Sequence, residues 1–154
     1  IYYGPASMIL KTAADAEYAP VWFGVDGMDG ILTIEGFDTS LAEGVILLTP
    51  FSADAEDEKT QKFVARYLEL YGEVPNQFAA DAYDGVYALV AAAEVAGVQT
   101  EDGAEDICDA MIAAMQQITI EGVTGTMTWD DTGAVSKTPN AVVIENGEYV
   151  SFSK

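Results

Sequence analysis

Residues 1–27 read IYYGPASMILKTAADAEYAPVWFGVDG. Their reading decides the fold, because a helical stretch lies between two strand signals. Ile1-Tyr2-Tyr3 reads as a strand end, and Gly4-Pro5 as the turn into a helix with Pro5 at its first position. The helix is predicted to carry Met8, Ile9 and Ala13 on its apolar stripe and to stop before Pro20. Val21-Trp22-Phe23-Gly24-Val25 then forms a short apolar run between proline and glycine, which predicts a buried parallel strand ended by Asp26-Gly27. A chain that opens on a strand end is expected to be an excised or cleaved piece of a longer protein.

Working outward, Gly44-Val45-Ile46-Leu47-Leu48-Thr49 is a second strand of the same kind, closed by Pro50. Asp54, Glu56, Asp57 and Glu58 then precede a helix with Phe63, Tyr67 and Tyr71 on its apolar side, beside Val64 and Leu68. Acidic residues there complement the helix dipole, a structural role rather than a metal site. Phe78 to Ala96 reads as a long helix with Ala79, Tyr83, Val86, Val90 and Ala93 facing inward and Gly97 as its stop. A further helix is predicted over roughly 104–118, with Ile107, Met111 and Met115 on one face. The tail turns to strands over 125–129 and 141–144, and Asn146-Gly147 makes a hairpin into Tyr149-Val150-Ser151-Phe152. This is an α/β pattern. Its middle holds three successive helices with no strand to cover, so their sheet is expected to come from chain upstream.

Composition excludes several functions. Half of the residues are apolar, so the chain is not disordered despite a formal net charge of -20. Six basic residues against 26 acidic ones exclude a nucleic-acid surface and docking on anionic lipid. With no histidine, the usual general base and zinc ligand are lacking. The single Cys108 forms no internal disulfide and reads as a small core residue. No apolar run is long enough to span a membrane. The expectation is a protein that is not an enzyme and needs no cofactor or metal.

Several segments together resemble the type I periplasmic binding proteins of the Leu/Ile/Val-binding family, in their C-terminal portion. They are Ile1-Tyr2-Tyr3-Gly4-Pro5, Trp22-Phe23-Gly24-Val25-Asp26-Gly27, Gly44 to Pro50, Tyr71-Gly72-Glu73-Val74-Pro75, Phe78 to Val86, and Gly125 to Gly133. The resemblance implies two doubly wound, Rossmann-like lobes joined by a hinge that the chain crosses three times. Residues 1–49 would belong to the second lobe, 50–137 would return to the first, and 138–154 would supply closing strands of the second. It also implies an aliphatic amino acid held between the lobes, an ABC permease as partner, and export. In a Gram-positive organism it implies a lipid anchor. The upstream half of the protein, or a companion chain, would complete the fold.

A zwitterionic ligand needs a carboxylate for its ammonium, hydroxyl and backbone donors for its carboxylate, and apolar walls. Asp26 ends a predicted parallel strand, where ligands bind in open α/β sheets, and the resemblance makes it the ammonium partner. It also makes Tyr2, with Tyr3 beside it, and Phe78 aromatic residues of the cleft. The groups for the ligand carboxylate would lie outside this chain. Three other readings compete. Asp131-Thr132-Gly133-Ala134 resembles the aspartic-protease signature, but such proteases are nearly all β and this chain carries four helical stretches. Asp26-Gly27-Met28-Asp29-Gly30 is acidic and glycine-rich, yet lacks the EF-hand spacing. A ligand-sensing receptor domain of the same fold remains open, because importer and sensor share these residues.

Overall fold

The computed structural model describes residues 1–152; the last two residues of the predicted closing segment lie outside them. The chain divides into two compact units, residues 1–77 with 139–154, and residues 78–138. Within this chain the division thus falls at Phe78, and residues 50–77 group with the first unit.

In the first unit, helix α1 (Tyr3–Asp15) precedes the short strand β1 (Phe23–Gly24) and strand β2 (Ile46–Thr49). β1 and β2 pair in parallel, with Phe23 opposite Ile46. Three short 3-10 turns, over Asp26–Met28, Ile31–Thr33 and Thr39–Ala42, connect them. α1 begins at Tyr3, so Pro5 is its third residue rather than its first. That position tolerates proline, because the first turn's N–H groups have no partner within the helix. The buried face of α1 is Ala6, Ser7, Leu10 and Ala13, whereas Met8 and Ile9 are exposed. The helix is apolar on more than one side, and the face of small residues plus Leu10 packs on the sheet. There it joins a core of Met28, Ile31, Ala42, Val45, Leu47, Val142 and Ile144.

Helix α2 (Glu58–Tyr71) follows β2. Asp57 caps it by accepting from the Thr60 amide at 2.9 Å, and Gly72 ends it at φ +75°. Phe63 packs edge-on against Phe51, and Tyr67 and Tyr71 continue the ladder at helical spacing. Helix α3 (Gln77–Ala96) and helix α4 (Ala104–Met115) come next, followed by strands β3 (Ile120–Gly122) and β4 (Gly125–Met127). The chain then returns to the first unit in β5 (Asn140–Glu145), which pairs antiparallel with β2, and β6 (Glu148–Ser151). Asn146 and Gly147 join β5 to β6 at φ +55° and +77°, as a type I′ hairpin requires. The first sheet therefore runs β1-β2-β5-β6.

The second unit holds the rest of α3, α4 and the β3–β4 hairpin. Ala92, Ala114 and Ile118 form its small core, with Met111, Met115, Ile120 and Trp129 packed around them. The inward face predicted for α3 is not the buried one. Ala80, Asp84, Ala88 and Ala92 are buried, while Val86 and Val90 are more than half exposed. Asp84 explains the rotation: its carboxylate accepts from the Val123 and Thr124 amides at 2.9 and 2.8 Å and from the Thr124 hydroxyl at 2.6 Å. This turns the face bearing Asp84 toward the β3–β4 turn. Cys108 is exposed, contrary to the core reading, because Ile107 and Met111 take the half-buried face of α4.

Candidate ligand site

Asp26 sits where β1 ends, as the first residue of the turn Asp26–Met28. The turn is closed by the Met28 amide donating to the Val25 carbonyl and the Asp29 amide donating to the Asp26 carbonyl, both at 2.9 Å. The Asp26 side chain is exposed and makes no hydrogen bond or ion pair among the described residues. Gly27 follows because nothing larger fits: a Cβ there would stand 2.6 Å from the Ile1 carbonyl oxygen and 3.7 Å from the Tyr2 Cα. The Asp26 turn is thus pressed against the start of the chain.

This brings Tyr2 beside the turn. Tyr2 is the residue before α1, extended at φ -85° and ψ 159°, with its ring exposed. Tyr3 faces the other way, packing against the core with its ring edge 3.4 Å from where a Cβ of Gly30 would stand. The structure therefore places Tyr2 and Asp26 together at the surface of the first unit, and Tyr3 half-buried against its core. Phe78 belongs to the second unit, half-buried in the first turn of α3.

Behind the turn lies a buried polar group that periodicity does not reveal. The Asp29 carboxylate is 6% exposed; one oxygen accepts from the Gly30 amide at 2.8 Å and the other from the Gln77 amide at 2.6 Å. The Thr49 hydroxyl, at the end of β2, donates to the Gln77 side-chain oxygen at 3.0 Å. The Tyr149 hydroxyl accepts from the Gly30 amide at 3.0 Å. Burial, and then the negative charge of Asp29 beside it, push the Tyr149 phenol well above its ordinary range. The pairing of Asp29 with Gln77, 48 positions apart, leaves no mark in a local pattern.

A cavity of about 390 Å³ opens next to this network, walled by Leu32, Phe51, Val64 and Val142 among others. Tyr2, Tyr3, Asp26 and Phe78 do not line it. Among the described residues no cluster of three or more Cys, Asp or Glu could hold a metal ion. Asp131-Thr132-Gly133 occupies an exposed turn held by Asp130, whose carboxylate accepts from the Thr132 amide and hydroxyl and the Ala134 amide. Those bonds, the Thr132 hydroxyl foremost, lower the Asp130 pKa. No helix among the described residues is long and apolar enough to cross a membrane.

Comparison with known proteins places this geometry in a family. The model of the periplasmic binding protein family matches residues 2–147. Among solved structures, the branched-chain amino acid transporter substrate-binding protein LivJ of Streptococcus pneumoniae, in complex with isoleucine, is 27% identical. It aligns over 97% of this chain and 41% of its own, with a TM-score of 0.78. A putative branched-chain amino acid ABC transporter protein from Rhodospirillum rubrum is 28% identical over 99% of this chain and 42% of its own, with a TM-score of 0.65. A solute-binding protein of an R. palustris ABC transporter, in complex with benzoate, shares the fold at 20% identity. It aligns over 96% of this chain and 39% of its own, with a TM-score of 0.79. No curated protein sequence matches the chain. The chain spans about two fifths of the length of the solved structures it matches. Its mixed α/β architecture is part of a type I periplasmic-binding-protein fold. From its match over residues 2–147, the chain belongs to the periplasmic binding protein family.

Proposed function

We propose that the chain is part of an extracytoplasmic solute-binding protein that captures a small aliphatic amino acid for an ABC importer. The observation that carries this reading is Asp26: an exposed carboxylate, engaged by no cation among the described residues, just past the C-terminal end of a parallel strand. A carboxylate so placed meets an ammonium group favourably and repels an aromatic acid such as benzoate, which favours an amino acid over that alternative. The isoleucine bound by the S. pneumoniae relative supports the aliphatic class. Tyr2 lines the site beside Asp26, and Tyr3 and Phe78 are the further aromatic candidates. In the whole protein, residues 1–49 and 138–154 would build one lobe and 50–137 would return to the other, with hinge closure burying the ligand. An ABC permease receives the closed form, the upstream half or a companion chain completes the lobes, and in a Gram-positive organism a lipid anchor holds the protein at the membrane.

Calorimetric titration of the full-length protein with an amino-acid panel tests the reading. Asp26→Ala is expected to cost about 2–5 kcal/mol of binding, the scale for removing one partner of a buried charge pair. Near-wild-type affinity in that variant would overturn the site.

A further inference from the structure

We infer that Asp29 is a positioning residue for the ligand carboxylate Asp26, an inference that rests on the proposed function of that site. Asp26 rides on a single 3-10 turn, a form with poor hydrogen-bond geometry and little persistence of its own. No hydrogen bond of its own orients the Asp26 side chain among the described residues, so its direction is set by the backbone beneath it. One end of that backbone is fixed by β1 and by the close approach of Gly27 to Ile1. The other end is Asp29, whose amide closes the turn on the Asp26 carbonyl.

What fixes Asp29 is its own buried carboxylate. It holds the Gly30 amide at 2.8 Å and, across the fold, the Gln77 amide at 2.6 Å. Gln77 is in turn gripped through its side chain by Thr49, and Gly30 is also held by the Tyr149 hydroxyl. One carboxylate thus ties the Asp26 turn to the end of β2, the start of α3 and β6. The two aspartates, three positions apart, divide the work. The exposed one meets the guest, and the buried one is spent entirely on backbone and neighbours.

The test compares Asp29→Asn, which keeps shape but presents N–H groups to an amide donor, with Asp29→Glu. Each is made with and without Asp26→Ala, in the full-length protein. L-Leucine and L-isoleucine are the titrants, and amide exchange is followed without ligand. Asp29→Asn is expected to weaken binding about tenfold, the loss of roughly one hydrogen bond's worth of positioning. In the Asp26→Ala background the same change should cost less than about twofold, because the two residues act as a unit. Exchange at the Met28 and Asp29 amides should quicken while β2 and β5 stay protected, and Asp29→Glu should recover part of the affinity. Wild-type affinity in Asp29→Asn overturns the inference, as does an equal loss in both backgrounds. If the wild-type protein binds neither amino acid, the proposed function fails on its own. Exchange at Met28 and Asp29 then decides whether Asp29 holds the turn, and unchanged exchange overturns it.

Discussion

Asp26, Asp29 and Asp84 are the same residue in three environments, and local sequence order marks a place in the fold only for the first. Asp26 stands at the end of an apolar run, a position that local order gives, while the role proposed for it comes from the family resemblance. Asp29 and Asp84 are buried carboxylates that accept from amides 39 to 48 positions away, and they look like surface residues in a linear pattern. Asp84 has the larger structural task. Removing it orphans the Val123 and Thr124 amides and the Thr124 hydroxyl at once. At roughly 1–3 kcal/mol per unsatisfied buried donor, with partial relaxation, Asp84→Ala should destabilise the second unit by about 3–5 kcal/mol. Trp129 lies in that unit, so urea unfolding followed by its fluorescence in a Trp22→Phe background reads the loss directly. A cost below about 1 kcal/mol would show that the amides find water instead. Tyr149 adds a pH signature. Its phenol is raised above the ordinary value of 10.0, by burial first and by Asp29 second. Below pH 10 the protonated phenol is favoured in both states and its stabilisation is complete. As pH rises further, the unfolded chain releases the proton first and that stabilisation drains away. Tyr149→Phe should therefore cost about 1 kcal/mol at pH 8, for the bond to the Gly30 amide, and progressively less above pH 10. Denaturation series at pH 8 and pH 11 check this, and a constant gap would exclude it.

At the scale of elements, termini were easier to read than faces. Gly72, Gly97 and the Asn146-Gly147 turn lie where left-handed backbone is needed, and the sequence marks such places with the residues that tolerate it. Faces were misread in α1 and α3 because both helices are apolar on several sides. Periodicity then offers more than one stripe, and the packed one is chosen by tertiary partners: the sheet for Ala6 and Leu10, the β3–β4 turn for Asp84. β3 went unpredicted because its three residues, Ile120-Glu121-Gly122, hold no alternation long enough to see. The α2 terminus, by contrast, follows from its acidic lead-in, with Asp57 as the cap and Glu58 in the first turn. Asp57 accepts from the Thr60 amide, and that bond, with the Thr60 hydroxyl second, holds its pKa below the ordinary carboxylate value. Asp57→Ala should cost about 1 kcal/mol at neutral pH, the usual worth of such a cap. Because the folded pKa is depressed, the contribution is present above about pH 4 and is lost as pH falls through the folded value. Thermal melts of the two proteins should differ at pH 7, and the gap should narrow as the pH is taken progressively below 4. A gap that does not narrow at all with falling pH would assign the cap to the side chain's shape rather than its charge.

The whole molecule is governed by its charge, which says nothing of fold and much about conditions. A formal net charge of -20 on 154 residues makes the compact state repel itself. Lys62, Arg66 and Lys137 are already paired with Glu58, Glu69 and Asp81, which leaves little cation to offset the rest. Salt should therefore stabilise this protein, the reverse of its effect on one held by surface ion pairs. Between 0.01 and 0.1 M NaCl the screening length falls from about 30 to about 10 Å, shorter than the span of either unit. The melting temperature should rise over that interval by roughly 2–4 °C for each kcal/mol of repulsion removed, and then level off. KCl should match NaCl, since screening depends on ionic strength; sulfate alone would continue upward, by exclusion from the surface. Ligand affinity should behave differently. An amino acid is a zwitterion with no net charge to be steered or repelled, and in the proposed site its contact with Asp26 would be made at hydrogen-bond range in a partly dry cleft. Over the same salt interval the affinity for L-leucine should change by less than about twofold while the melting temperature climbs. A parallel fall in affinity would mean that Asp26 meets its partner in open solvent, and that the lobes do not close over the ligand as proposed.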